Sequence, residues 1–373
     1  MRLAALRAGL ARDLSALWPA LLAARVAVLA GWVAAGLLRG GTEPTVRLRA
    51  EGLIAWDGTW YRDIAVFGYD AVPLEALRFF PAYPLLARAL SWPFGGGQGT
   101  VSWVLIIVAN LAAVVAAILV RRLVLAERGD ERLANASAVA LTLFPTGFVL
   151  VWAYSEALFL VAAVGFFLAI RRSRWWWATP LGILAGATRP LGIFLVPVAA
   201  IELVRSWRSS TAAQRALGVV GVVSPLVGTT GWLIWTQSRT GEWLYPFTSQ
   251  SDLRGEAVNP LVRLVQGVGE LFGPEVLGDG LHLPFAAAFV ALVVVVFRRW
   301  PVSYGVFALL VLLSALAADN LNSLERYALN AFPVALAVAG LCTSLWRTRL
   351  ALGVGLAGIV SLSALAWMGT YVP

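Results

Sequence analysis

Apolar runs recur along the whole chain, many of them closed by arginines. Their length matches the roughly 20 residues that a helix needs to cross a hydrocarbon core. The pattern predicts eleven spans, at about 14–38, 101–120, 135–152, 154–170, 175–188, 190–204, 216–236, 283–297, 301–317, 327–346 and 350–370. Around Thr188-Arg189-Pro190 two readings stay open, a proline-kinked single helix or two helices. Ala82–Trp92 is apolar but short, and Pro84 and Arg88 interrupt it, so it reads as a helix lying at the membrane interface. Arg25 falls near the middle of the first span and must snorkel or face the bundle interior. That first run continues to Leu38, which suits an anchor better than a removed leader.

One stretch departs from this pattern. Residues 56–84, WDGTWYRDIAVFGYDAVPLEALRFFPAYP, hold four carboxylates, eight aromatic rings and three prolines. If Asp57 N-caps a short helix, Trp60, Tyr61, Ile64, Phe67 and Gly68 share its apolar face and Asp57 stands at its head. There a carboxylate can be partly desolvated, as a general base requires.

Charge sets the expected orientation. With the amino terminus inside, the inner segments carry seventeen arginines against five acids, and the outer segments eleven against fifteen. This is the positive-inside bias, and it holds only if Ala82–Trp92 does not cross. Loops 39–100 and 237–282 are then extracytoplasmic, within one integral-membrane domain over 1–373.

Composition narrows the chemistry. The chain is 60% hydrophobic and 13% charged, with no lysine among its 29 basic residues. The arginines sit at helix ends and form no single patch, so no nucleic-acid partner is expected. A single cysteine, Cys342, and a single histidine, His282, argue against an internal disulfide, a thiolate metal cluster or Cys–His catalysis. Trp175, Trp176 and Trp177 read as an interfacial belt.

The inner loops are too short for the roughly thirty residues of a βαβ nucleotide-binding unit. A transferase of this design would take its donor from the bilayer, attached to a lipid phosphate. Such a reaction needs a carboxylate base for the acceptor hydroxyl and arginines for the departing phosphate. Asp57 is the candidate base, and Arg78, Arg189 and Arg326 are candidate phosphate ligands. Tyr69, Glu75 and Glu156 are further candidates for substrate binding; helix capping is the competing role for Asp57 and Glu156, and pairing with Arg78 for Glu75. Asp63 and Asp70 read as capping or solvated, and Tyr245, Phe247 and Gln250 as possible walls of an acceptor groove. Two other classes stay open on the residues alone: a transporter or lipid flippase, and a noncatalytic membrane subunit.

The stretch at 56–84 resembles the first luminal loop of the PIG-V family, with its pattern WD-x3-[FY]-x2-IA-x2-GY and then E-x3-FFP-x-[YF]P. Tyr154-Ser155-Glu156, Thr188-Arg189 with Gly192, and Glu325-Arg326-Tyr327 are similar to further family positions. The resemblance implies an all-α, polytopic mannosyltransferase of the GT-C superfamily, with juxtamembrane helices in its first extracytoplasmic loop. It implies inverting transfer from a polyprenyl-phosphate-linked mannose to a cell-envelope glycan or glycolipid, Asp57 as base, and a multi-pass position in the cell membrane. No cofactor is implied, and no second carboxylate is obviously spaced to share a metal ion with Asp57.

Overall fold

The computed structural model describes residues 2–250, 255, 258–272 and 279–373, and among them the chain is helical with no β-strand. Among the described residues it is an all-α bundle with the composition of a membrane protein. Six segments are long and apolar enough to cross a membrane: Arg7–Arg39, Gln98–Arg128, Pro190–Ser209, Ala212–Thr240, Gly280–Arg299 and Leu345–Trp367. Val302–Leu316 is a shorter apolar helix.

Helix α1 (Arg2–Arg39) leads through α2 (Thr45–Glu51) to α3 (Asp57–Phe67) and α4 (Ala82–Ser91), the helices of the first long loop. Then come α5 (Gln98–Arg128), α6 (Glu131–Thr142), α7 (Glu156–Arg171), α8 (Trp175–Thr188), α9 (Leu195–Ser206) and α10 (Ala212–Thr240). Of the loop read at 237–282, α11 (Tyr245–Thr248) and α12 (Pro260–Glu270) are described, while 251–254, 256–257 and 273–278 lie outside the described residues. Helices α13 (Asp279–Arg299), α14 (Val302–Leu316), α15 (Leu324–Asn330), α16 (Pro333–Leu341) and α17 (Leu345–Trp367) complete the bundle.

Local chemistry sets the helix ends. Asp130 accepts from the Leu133 N–H at 3.0 Å and starts α6; Thr211 and Gln214 form a reciprocal capping box at the start of α10. Prolines break three of the apolar stretches. Stretch 135–152 becomes α6 and a separate turn at Gly147–Leu150, with Pro145 between; 327–346 becomes α15 and α16, divided just before Pro333. At Thr188-Arg189-Pro190 the two-helix reading holds, because Pro190 pushes Arg189 into extended backbone (φ −151°, ψ 151°).

Helix α7 is the axis of the bundle. Apolar all round, it is buried along nearly its whole length. Its N-terminal residue, Glu156, is fully buried, and at its C-terminus Arg171 pairs with Glu127 (2.5 Å) and Glu202 (2.8 Å). Acid at the start and base at the end both suit the helix dipole. Arg121 likewise grips Asp13 at 2.5 Å, so part of the arginine excess at that end ties helices together. Arg25 faces inward and donates to Asn110 Oδ1 at 2.8 Å. Gly186 and Gly228 let α8 and α10 approach so closely that neither position has room for a Cβ.

The tryptophan belt needs a correction. Trp176 and Trp177 are exposed and stacked on each other, but Trp175 is buried in the core, where its ring covers Gly221. Helix α4 forms as expected, with Tyr83 and Ala87 buried and Leu85, Leu86 and Leu90 exposed.

Candidate active site

Asp57 is the first residue of α3 and not its cap. The capping position falls to Trp56, whose φ of 61° is a rare conformation for a side chain of that size. Two indole bonds fix this corner against α17: Trp56 Nε1 donates to Ala366 O at 3.0 Å, and Trp367 Nε1 donates to Gly52 O at 3.1 Å. Freed from capping, the Asp57 carboxylate turns to Arg326, and Nη1 donates to Oδ2 at 2.6 Å. The buried face of α3 is Gly58, Tyr61, Ile64 and Ala65; Phe67, expected on that face, is half exposed.

Arg326 reaches Asp57 from α15, which follows Ser323, a second non-glycine residue with positive φ (66°). Behind it lies Glu156. Its Oε1 accepts from Arg189 Nη1 at 2.6 Å and lies 3.3 Å from Arg326 Nε. Arg189 Nη1 also donates to Ser155 Oγ at 3.0 Å, and Ser155 Oγ is 2.8 Å from the Tyr61 hydroxyl. The cluster therefore joins the first loop, the start of α7, the α8–α9 joint and α15 through one set of polar contacts.

A cavity of about 590 Å³ opens over this cluster. Asp57, Arg78, Arg189 and Arg326 all line it, as does Gln250 from the second loop. Arg78 makes no hydrogen bond or ion pair among the described residues, and its guanidinium lies 5.0 Å from the Trp60 ring centroid and 4.9 Å from that of Phe79. Burial pulls Arg78 below its ordinary pKa, yet an arginine stays protonated across the physiological range. For Arg326 burial also opposes the charge, but Asp57 and Glu156 outweigh it and raise the pKa above its ordinary value. Burial pushes the Tyr61 phenol far above the usual tyrosine range, so it serves as a neutral hydroxyl.

Several other sequence candidates lie elsewhere. Glu156 does not line the cavity; it sits beneath as the shared counter-charge of two arginines. Tyr69 stands outside as well, donating to Phe79 O at 2.7 Å and packing on Trp232 and Trp235. Glu75 is exposed and forms no salt bridge with Arg78 among the described residues; it supports that charge only at longer range. Asp63 pairs with Arg62, and Asp70 with Arg239. Tyr245 packs near Leu77, Phe80 and Trp232.

The sequence reading overlooked Glu51, a second carboxylate on the cavity wall, paired to Arg47 at 3.2 Å. Glu325, which stands beside Arg326 in the Glu325-Arg326-Tyr327 motif, is buried with the His282 Nδ1 at 2.7 Å and receives a hydrogen bond from Tyr371 at 3.1 Å, a pairing that sequence spacing does not reveal. No cluster of three or more His, Cys, Asp or Glu able to hold a metal occurs among the described residues. The cavity brings the guanidinium groups of Arg78, Arg189 and Arg326 together with the Asp57 carboxylate.

No family model matches the chain, and no curated protein matches it. Among solved structures it is similar to the Archaeoglobus fulgidus oligosaccharyltransferase complex with zinc and sulfate, at 15% identity and a TM-score of 0.44, covering 93% of this chain and 53% of that one. The same archaeal enzyme tethered to an acceptor peptide containing the NVT sequon gives 14%, 0.45, 96% and 56%. The A. fulgidus oligosaccharyltransferase AglB with an inhibitory peptide and a dolichol-phosphate gives 13%, 0.44, 94% and 56%. The chain thus spans about half the length of these structures.

Proposed function

We propose that the chain is a GT-C-type, inverting glycosyltransferase that moves a mannose from a polyprenyl-phosphate carrier to a cell-envelope glycan or glycolipid, at the extracytoplasmic face. The observation that carries this reading is the convergence of Asp57 with Arg78, Arg189 and Arg326 on one cavity. The guanidinium groups of Arg78, Arg189 and Arg326 face the carboxylates of Asp57 and Glu156, and Arg47 and Glu51 on the same wall cancel as a pair, which leaves a single net positive charge. A sugar–phosphate–lipid diester carries one negative charge, which this balance suits.

The chemistry follows from the contacts. A donor phosphate entering the cavity competes with Asp57 for Arg326, and each contact it gains loosens the ion pair. The released Asp57 oxygen accepts the proton of the acceptor hydroxyl as that oxygen attacks the anomeric carbon. The bond from that carbon to the phosphate oxygen breaks on the opposite side, and the electron pair leaves with the phosphate. Arg189, held by Glu156, and Arg78, held by aromatic rings, stabilise the charge that develops there. A phosphate leaving group needs no general acid, and no group beyond these is required for proton balance.

The test is incubation of the purified chain with radiolabelled polyprenyl-phosphate-mannose and extracted envelope lipids. Label is expected in an acceptor-linked product. Absence of transfer with every acceptor fraction, from protein shown to be folded, would overturn the reading.

A further inference from the structure

Two further cavities lie along the bundle and share no lining residue with the Asp57 cavity. An apolar slot of about 360 Å³ runs between α6, α13, α16 and α17, walled by side chains such as Val139, Phe144, Phe289, Leu292, Val338 and Leu352. Its upper end stops at Glu325, whose carboxylate is already engaged by His282 and Tyr371. Lower down, Thr348 is satisfied by Ser344 O at 3.1 Å. A slot with so little polar capacity suits hydrocarbon better than water.

The lower end opens into a cavity of about 980 Å³. The two share Ala136, Ala339, Cys342 and Thr348, so they adjoin. Four exposed arginines line the lower cavity, Arg128, Arg132, Arg298 and Arg299; none forms an ion pair among the described residues, while Arg128 donates to the Arg299 carbonyl and Arg299 to that of Gly340 at 2.7 Å. The one acid there, Asp130, is engaged in capping α6. Arg128 lies 5.1 Å from the ring centroid of Trp300, a residue type common at membrane interfaces. His282 and Arg299 sit on the same helix, α13, which puts about 26 Å between the two ends.

We propose that this joined cavity holds one anionic glycerophospholipid, with its phosphate on the arginines of α5, α6 and α13 and an acyl chain in the slot. The charge argues for an anion, because four guanidinium groups and a single carboxylate, Asp130, line the same cavity. The slot argues that the anion bears a hydrocarbon chain. This site is distinct from the proposed donor site, whose arginines lie at the other end of the bundle.

Cys342, the sole cysteine, stands where slot and basic cavity meet and reports occupancy in the unaltered protein. The experiment measures maleimide reaction at Cys342 in detergent with added phosphatidylglycerol, phosphatidylcholine, polyprenyl phosphate or inorganic phosphate. Phosphatidylglycerol at ten times its Kd is expected to slow labelling roughly tenfold, while phosphatidylcholine and inorganic phosphate leave the rate unchanged. Arg132 and Arg298 make no hydrogen bond among the described residues, so Arg132→Gln/Arg298→Gln should fold normally. That double variant is expected to lose the protection while keeping the lipid-free labelling rate. Equal protection by phosphatidylcholine, protection by inorganic phosphate or by polyprenyl phosphate in place of phosphatidylglycerol, or full protection of the double variant would each overturn the proposal.

Discussion

Arg326 and Asp57 stand 269 residues apart in the chain and meet at 2.6 Å. Asp57 directly follows Trp56, whose φ is 61°, and Arg326 lies three residues after Ser323, whose φ is 66°. Such conformations cost on the order of 1–3 kcal/mol each and persist only where surrounding contacts over-determine them. Here those contacts are the indole bonds to α17 on one side and the buried Glu325 cluster on the other. The pair is thus held by strained backbone at both ends, a placement that ordinary helix geometry would not give.

Asp57→Asn tests the base. The amide keeps the shape but cannot take up the proton, and Arg326 still has Glu156 behind it. The variant is expected to fold and to lose transfer by about 10²–10⁴-fold in kcat. Single-turnover transfer, with a thermal melt as control, measures this; full activity in the variant removes Asp57 from the chemistry.

Arg78 and Glu156 separate binding from stability. Arg78 has no ion pair among the described residues, so Arg78→Gln should leave the melt nearly unchanged. If Arg78 holds the donor phosphate, the same variant raises the donor KM by about tenfold or more, the equivalent of a lost charged hydrogen bond. Glu156→Ala strips the buried counter-charge from Arg189 and Arg326 together. It is expected to destabilise the protein by about 3–5 kcal/mol, read by denaturant titration in detergent.

These sites differ in how far the sequence reveals them. The apolar periodicity and arginine-closed runs point to the helical bundle, and the acid-rich aromatic stretch points to Asp57. Arg189 stands out because a cation between two apolar runs is expensive without a purpose, and Arg326 as an arginine of the expected outer face. Sequence spacing cannot show that Asp57 forgoes its capping position, since that depends on the Trp56 backbone and on contacts with α17, more than 300 residues away. Nor can it show that Glu156 lies beneath the cavity and braces two arginines, which follows from the burial of α7 on every side. Tyr69 and Glu75 belong to the same motif as Asp57, yet Tyr69 packs on α10 and Glu75 faces solvent. Part of the motif therefore encodes packing.

The orientation is open to a labelling experiment. Thr59 lines the Asp57 cavity, and Cys342 lies in the basic cavity at the other end. In intact cells, Thr59→Cys in a Cys342→Ser background is expected to react with a membrane-impermeant maleimide added outside. The unaltered protein, with Cys342 alone, should react only after the membrane is opened. The reverse pattern would invert the proposed topology.

His282 offers the last test, of how Arg326 is held. Its Nδ1 is 2.7 Å from Glu325 Oε1, Tyr371 donates to the other oxygen, and Thr146 donates to the Glu325 backbone carbonyl at 3.1 Å. All three side chains of the His282–Glu325–Tyr371 set are buried, and none lines the Asp57 cavity. Their reach to that cavity runs through α15, where Glu325 is the immediate neighbour of Arg326. If the set positions Arg326 for the departing phosphate, His282→Ala lowers kcat by about tenfold, near 1.4 kcal/mol, with the donor KM little changed. His282→Gln should restore part of the loss through a side-chain amide donor. Tyr371→Phe removes one hydrogen bond and should cost less than His282→Ala. A purely structural role predicts instead that all three variants lower the melting temperature and leave the kcat of the folded fraction intact.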